Sequence, residues 1–331
     1  MKFFPNLSGS CARVLALAAA LFACAWQPAA AQQPWPSKPI KLVVPYTPAG
    51  GTDILGRLLA RRLSDALGVP IVVDNRPGSD GSIGTDVVAK SAPDGYTLLI
   101  DGTSQAYNVA FGKKLPYDPV RDLAPIAQTA NQQVLLLVNA SLPVKNVKEL
   151  IEYAKAYPDK LNYGASSNAN ALPMELLKVM TGVKIAHVPY RGSGPMLNDL
   201  LSGQVQMAMS DAAAPLPHVK AGKLRVLGIG DSQRSPSLPE FPTISEAGIA
   251  GFQTLQWSGM FAPSGTPRPV IDRLNREVNV ILRDPTFRKQ MSDAGFDPVQ
   301  TQNTPEQWRA HIDAEVTKWS AIVQRVGLKA E

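Results

Sequence analysis

Short apolar, strand-like runs alternate with amphipathic helical ones along most of this chain, and no other feature limits the fold so tightly. Ile40-Lys-Leu-Val-Val44 is apolar and β-branched, and Pro45 closes it. Ile54, Leu55, Leu58, Leu59, Leu63 and Leu67 then fall on one helical face, with Gly68 as the stop. Ile71–Val73, Tyr96–Ile100, Leu135–Val138, Leu161–Tyr163, Val183–Val188, Val205–Met209 and Leu224–Ile229 read as further strands, with helical or turn segments between them. Asn146 and Glu149 have capping-box spacing, with Val147, Leu150, Ile151 and Ala154 on the buried face behind them. This alternation predicts mainly parallel sheets covered by helices. The last stretch reads as helical. Pro267 and Pro269 open one helix, Pro285 opens another, and Thr304 with Gln307 caps a long terminal one. No low-complexity linker interrupts the chain, so a second domain has to be inserted through strands.

The N-terminal segment is set aside as a secretory leader. Lys2 and Arg13 form a positive region, Val14 to Ala25 is an apolar run, and Ala29-Ala30-Ala31 is a small-residue cleavage site before Gln32. The run is shorter than the roughly 20 residues a transmembrane helix needs. Leu21-Phe22-Ala23-Cys24 loosely resembles a lipoprotein box, with the bulky Phe22 against it. Both cysteines, Cys11 and Cys24, fall in this leader, so the expected mature chain has no disulfide and no thiolate. That pattern fits an exported periplasmic protein held by its core. Its length, about 300 residues, favours two domains. Removing Lys2 and Arg13 takes the formal charge from +6 to +4. The remaining basic residues are scattered, which argues against nucleic acid and is compatible with small anions.

The glycine-rich loops carry the chemistry. Val44-Pro-Tyr-Thr-Pro-Ala-Gly-Gly-Thr-Asp53 runs from a strand's end into a helix start, and helix N-termini bind anions through backbone N–H groups. Gly50 and Gly51 permit close backbone approach, and Thr52 adds a hydroxyl. The Walker lysine is absent, so this is no nucleotide loop. Asp53 suits capping, or a water bridge to a ligand. Gly78, Gly81 and Gly84 lack dinucleotide spacing, so no NAD or FAD is expected. Gly102-Thr103-Ser104-Gln-Ala106 loosely resembles a nucleophile elbow, which makes a secreted carboxylester hydrolase using Ser104 the alternative reading. His187, His218 and His311 are its candidate bases, none in a recognisable setting, and their spacing gives no metal site. Ser166, Ser167, Asn168 and Asn170 form a polar loop ahead of a helix expected near Pro173. Asp211 ends a strand, where a side chain can face a crevice. His187, Met207 and Met209 are expected to pack. Val-Pro-Tyr recurs at Val188–Tyr190, before Arg191-Gly192 and a second helical pattern.

Trp35-Pro-Ser-Lys-Pro-Ile40, Val44–Asp53, Asn75-Arg-Pro-Gly78, Ala92-Pro-Asp-Gly-Tyr-Thr-Leu-Leu99, Leu115-Pro-Tyr-Asp-Pro119, His187-Val-Pro-Tyr-Arg-Gly192, Ala221-Gly-Lys-Leu-Arg225 and Phe261-Ala-Pro-Ser-Gly-Thr-Pro267 together resemble the Bug family, the extracytoplasmic receptors of tripartite tricarboxylate transporters. The resemblance runs from about Trp35 to the C-terminus. It implies an α/β, two-lobed, type II periplasmic binding protein, with lobe one at 34–134 plus 256–331 and lobe two at 135–255. It further implies one small carboxylate held non-catalytically in the cleft, without cofactor or metal, for membrane subunits of the transporter. A monomer is expected, and a sensory role for the bound receptor stays open. By position, the resemblance places the carboxylate grip at Tyr46, Thr47, Gly50, Gly51, Thr52 and Asp53, and the second wall at Ser166, Ser167, Asn168 and Asn170. Tyr190, Arg191, Gly192 and Asp211 lie around the ligand's variable end, and Thr103 and Ser104 are added from the loop after the third strand. One departure stands out. Where the family runs glycine-rich to a His-Leu pair, Ala165 to Leu172 is shorter, with Pro173 near the histidine's place.

Overall fold

The computed structural model describes residues 35–299 and 303–326. The expected leader, both cysteines and the cleavage point at Ala31 lie outside the described residues. The chain begins with β1 (Ile40–Val44), α1 (Gly51–Leu67), β2 (Ile71–Asn75), α2 (Ser82–Ala89), β3 (Thr97–Gly102), α3 (Ser104–Ala110) and β4 (Leu123–Gln132). Next come β5 (Val134–Asn139), α4 (Val147–Ala156), β6 (Asn162–Ala165), α5 (Asn168–Thr181), β7 (Ala186–Pro189), α6 (Ser193–Ser202), β8 (Met207–Asp211), α7 (Leu216–Lys220) and β9 (Leu224–Ile229). It ends with β10 (Gln256–Pro263), α8 (Arg268–Arg283), α9 (Pro285–Asp293), β11 (Phe296–Pro298) and α10 (Pro305–Val326).

The strands form two sheets, ordered β11-β4-β10-β3-β1-β2 and β7-β6-β8-β5-β9. With helices on their faces they make a two-lobed α/β molecule. The expectation of mainly parallel sheets needs correction, because both are mixed. β1 is parallel to β2 and β3, and β6 to β7 and β8. By contrast, β10 runs antiparallel to β3 and β4, β11 to β4, and β5 to β8 and β9. The cause is connectivity. The chain leaves the first sheet along β4 and returns along β10, and it enters the second along β5 and leaves along β9. Out-and-back strands placed side by side are antiparallel, whereas strands joined by a helix crossover are parallel.

Period-two alternation explains why Leu135–Val138 is apolar throughout. Val134, Leu136 and Val138 face one buried cluster with Leu150, Met174, Leu177, Met207 and Met209. Leu135 and Leu137 face another with Met196, Leu197 and Leu200. The strand is covered on both sides, so it needs hydrophobes at every position. In the first lobe, Val43, Leu99, Trp257, Phe261 and Trp308 form the corresponding cluster. A further apolar cluster joins α3 and α10 to α5, through Tyr107, Trp319, Val323, Ala169 and Leu172.

The two crossings between sheets are short of slack. Gln133 alone separates β4 from β5, and its Nε2 donates to Asp297 Oδ2 at 2.7 Å. Ser235 Oγ, on the return path, donates to the same carboxylate at 2.9 Å. Thr254 N donates to Gly230 O at 2.6 Å just before the chain rejoins the first sheet.

Candidate functional site

The parallel strands of both sheets aim their carboxyl ends at one cleft, and the helices that follow them begin there. α4, on the outer surface, shows how a helix start is ordinarily closed: Asn146 Oδ1 accepts from Glu149 N at 2.9 Å, and Glu149 reaches back to Lys145 N at 2.7 Å. The cleft helices lack this. α1, α3, α5 and α6 begin at Gly50, Thr103, Ser167 and Gly192 with no side-chain cap from those residues. Thr103 Oγ1 is committed elsewhere, accepting from Trp257 N at 2.8 Å. The starts of α1, α3 and α6 therefore turn partial positive charge on a common space, while the start of α5 meets a carboxylate from the other lobe.

That space is an inner cavity of about 40 Å³. From the first lobe it is lined by Tyr46, Gly50, Gly51, Thr52, Thr103 and Ser104, and from the second by Ser166, Ser167, Asn170, Gly192 and Asp211. The structure thus gathers most of the residues expected from sequence. It adds Gln132, Ser193, Gln256 and Ser258, which the sequence reading passed over. No lysine, arginine or histidine lines the cavity, so no imidazole stands beside Ser104 among the lining residues.

The two glycine loops meet face to face. A Cβ on Gly51 would stand 2.1 Å from Asp211 Oδ1, and one on Gly192 would stand 2.0 Å from Thr47 Oγ1. Such separations are impossible for real atoms, so the approach of the lobes depends on glycine at both places. Asp211 Oδ1 is buried and accepts no hydrogen bond among the described residues. Burial pushes the Asp211 carboxyl up to about 6, although the backbone amides of Ala214 and Ala213 pull it back.

Asp53, expected at the carboxylate grip, does not line this cavity. Its carboxylate accepts from Ala49 N (2.9 Å), Arg57 Nε (3.0 Å) and Asn75 Nδ2 (2.9 Å), which fixes the loop that presents Gly50 and Gly51. Burial works to raise its pKa, but the bonds from Arg57, Ala49 and Asn75 outweigh it and hold the group below the ordinary carboxylate range. Tyr46 is held from behind. Its hydroxyl donates to Asp101 Oδ1 at 3.1 Å, and Asp101 also accepts from Gly102 N (2.7 Å), Thr85 Oγ1 (3.1 Å) and Gln105 Nε2 (3.1 Å). Burial drives Asp101 up to about 6 against these four donors, and drives Tyr46 well above the usual phenol range.

α5 differs from the sequence expectation and shows why. It begins at Asn168 rather than near Pro173, which sits inside it. A proline has no N–H for the carbonyl four residues back, and that carbonyl belongs to Ala169. Gln256 Nε2, from β10 of the other lobe, donates to it. At the same turn Asn168 N donates to Asp80 Oδ1 at 2.9 Å, so a first-lobe carboxylate caps this second-lobe helix. Asn168 Nδ2 meets Asn108 Oδ1 at 3.1 Å. Burial raises the Asp80 pKa, and the Asn168 amide and the Lys113 charge oppose it.

Outside the inner space lies a second cavity of about 740 Å³. Tyr46, Ser166 and Ser167 line both. Thr47, Asn168, Tyr190 and Arg191 line the outer one only, as do Pro77, Asp80, Ile83, Ala171 and His187. His187 stacks on Tyr163 with centroids 4.8 Å apart. Among the described residues, no group of three or more His, Cys, Asp or Glu is gathered as metal ligands.

Comparison with known proteins agrees with this architecture. Residues 55–328 match the family model described as "Tripartite tricarboxylate transporter family receptor". The chain is 38% identical to the protein BugT of Bordetella pertussis over 300 residues, covering 89% of this chain and 91% of BugT. The Rhodopseudomonas palustris protein Rpa4515, solved with adipate, superposes with a TM-score of 0.85 at 38% identity, covering 89% of this chain and 99% of that one. MatC from the same organism, with bound malate, gives a TM-score of 0.82 at 32% identity, over 87% of this chain and 100% of MatC.

Proposed function

Because the chain belongs to the tripartite tricarboxylate transporter receptor family, whose members are receptors rather than enzymes, we propose that it captures one small carboxylate in the inner cavity. The observation that carries this reading is the convergence of the starts of α1, α3 and α6, none with a side-chain cap, on a space with no cationic side chain. Backbone amides of Gly51 and Thr52, and hydroxyls of Thr52, Ser104 and Ser166, are the donors such a ligand would meet. Partial charges suit reversible capture, since a full buried cation would lose its partner each time the ligand left. The adipate and malate held by Rpa4515 and MatC support the same ligand class here.

In this reading the lobes are 34–134 with 256–331, and 135–255, and they close over the ligand. The receptor works in the periplasm after cleavage behind Ala31 and delivers its cargo to the transporter's membrane subunits. Isothermal calorimetry of the purified protein against a panel of aliphatic and aromatic carboxylates tests the reading. Saturable binding with one site per chain is expected. A folded protein that binds none of them sinks it.

A further inference from the structure

Ser79 and Asp80 hold left-handed backbone in succession, at φ 46° and 55°, between Gly78 at 134° and Gly81 at 83°. Glycine enters this region freely, whereas a residue with a Cβ resists it. Two such residues side by side persist only where their surroundings impose the conformation. Here they do. Ser79 O accepts from Ser82 N at 3.1 Å, Ser82 Oγ at 2.8 Å and Lys113 Nζ at 2.9 Å. Asp80 O accepts from Asn108 Nδ2 at 3.4 Å. All these donors belong to the first lobe, so the turn is built without help from the second. What it presents across the cleft is the Asp80 carboxylate.

That carboxylate lands on the start of α5. Its Oδ1 accepts from Asn168 N at 2.9 Å, and its Oδ2 is buried with no hydrogen bond among the described residues. Asn168 is the first residue of the helix, where an N–H has no partner within it, and Ser167 supplies no side-chain cap. The cap comes instead from a residue 88 positions away. Asn108 braces the same contact, accepting from Asn168 Nδ2 at 3.1 Å while it holds the Asp80 carbonyl. An acid in the cleft of an anion receptor ordinarily works against it, because its charge repels the cargo. Placed at a helix start, the same charge draws the lobes together.

We propose that Asp80 is a built-in latch. It is a positioning residue that docks on the α5 start as the lobes close, and so tightens the hold on a carboxylate in the inner cavity, which Asp80 does not line. This rests on the carboxylate-receptor reading and deepens it, since part of the affinity then comes from a bond between the lobes themselves.

Calorimetry with adipate and malate as probes tests it, alongside thermal melting of each variant. Asp80→Gly suits the left-handed turn and removes only the carboxylate. It should weaken affinity about tenfold, the worth of one charge-assisted hydrogen bond, while the melting temperature holds or rises. Asp80→Asn keeps an acceptor oxygen and tolerates the same backbone, so it should stay within about threefold of wild type. Simple charge repulsion predicts the opposite sign, with both variants binding more tightly.

A second pair approaches the bond from the other side. Asn168→Pro deletes the N–H at a position that accepts proline, behind an extended Ser167 (φ −166°, ψ 165°). Asn168→Ala keeps the N–H and is the reference for the lost Asn108 contact. The proline variant should bind about tenfold more weakly than the alanine one, and no more weakly once Asp80→Gly is also present. Affinity that is unchanged or raised in Asp80→Gly, or a proline effect that persists without Asp80, overturns the latch and leaves the carboxylate receptor standing. A melting temperature lowered in step with affinity marks a structural anchor and overturns it too. Wild-type protein that binds neither probe nor any other carboxylate overturns both readings.

Discussion

Val-Pro-Tyr occurs at Val44–Tyr46 and again at Val188–Tyr190, each time at a strand's end before a helix, and the two copies are anchored differently. Both tyrosines donate to an aspartate. Tyr46 reaches Asp101 on β3, whose carboxylate is shared with Thr85 of α2, Gln105 of α3 and the Gly102 amide. Tyr190 reaches Asp199 at 2.6 Å, nine residues ahead on the helix it introduces. Through its hydroxyl the first tyrosine is tied into three other elements, whereas the second tyrosine's hydroxyl is tied only to the helix it introduces, its amide donating to Ala165 O of β6 at 2.8 Å. Equal tripeptides thus give a rigid wall in one lobe and a locally held wall in the other. In the function proposed above, the constant part of a ligand would lie against the first and its variable part against the second.

Disabling the shared requirement of both walls should have the largest effect. Gly51→Val places side-chain atoms where Asp211 stands, and Gly192→Ala does the same against Thr47. Each should lower carboxylate affinity by about a hundredfold, near 3 kcal/mol, while the melting temperature stays close to wild type because the clash lies across the cleft. Solution scattering should show ligand contracting the wild type but neither variant. Undiminished binding in a folded Gly51→Val protein would remove this loop from the site.

The anchors come next. Asp101→Ala strands several buried donors and should cost about 3 kcal/mol in denaturant unfolding. Asp199→Ala removes one hydroxyl partner on a half-buried side chain and should cost under about 1 kcal/mol. A reversed order would refute the rigid-wall assignment.

The pH dependence sharpens the comparison further. Asp101 and Asp211 are both pushed up to about 6 by burial. In the unfolded chain such groups lose their protons near pH 4. Their contribution to stability is therefore complete below pH 4 and is lost as the pH rises through about 6. For binding, ionised Asp211 repels the incoming carboxylate, so affinity should fall about tenfold from pH 5 to pH 7. Asp211→Asn should flatten that profile and shift preference among ligands. Affinity that instead rises with pH would mean that Asp211 receives an ammonium group. The smallest effect is spectroscopic. Burial, and then the Asp199 bond and charge, push the Tyr190 phenol up to about 12, so Asp199→Ala should move it part of the way down toward the ordinary phenol value in an ultraviolet titration.

The first wall was legible from sequence because its logic is local: a β-branched strand, a proline, two glycines and an amphipathic helix follow one another without interruption. β4 was not. Leu123-Ala-Pro-Ile-Ala-Gln-Thr-Ala-Asn-Gln132 mixes small and polar residues, and it is a strand because β10 and β11 pair with it on either side. Strand direction was misread for a related reason, since it depends on which strands carry the chain between lobes. Gln256 and Asp80 were invisible because their partners are 87 and 88 residues away. Pro173 carried a usable signal. A proline five residues into a helix frees a carbonyl, and a buried carbonyl requires a donor from elsewhere.

That freed carbonyl makes the first turn of α5 a natural reporter. Its donor end is closed by Asp80 and its acceptor end by Gln256, both from the opposite lobe. If the lobes part as proposed, the turn loses both supports at once and is left with its local bonds, among them those from Asn170 N (3.0 Å) and Ala171 N (2.9 Å) back to Ser167 O. Deuterium uptake at those two amides would then clock the proposed opening of the cleft, and a bound carboxylate should slow it in proportion to the time the receptor spends shut.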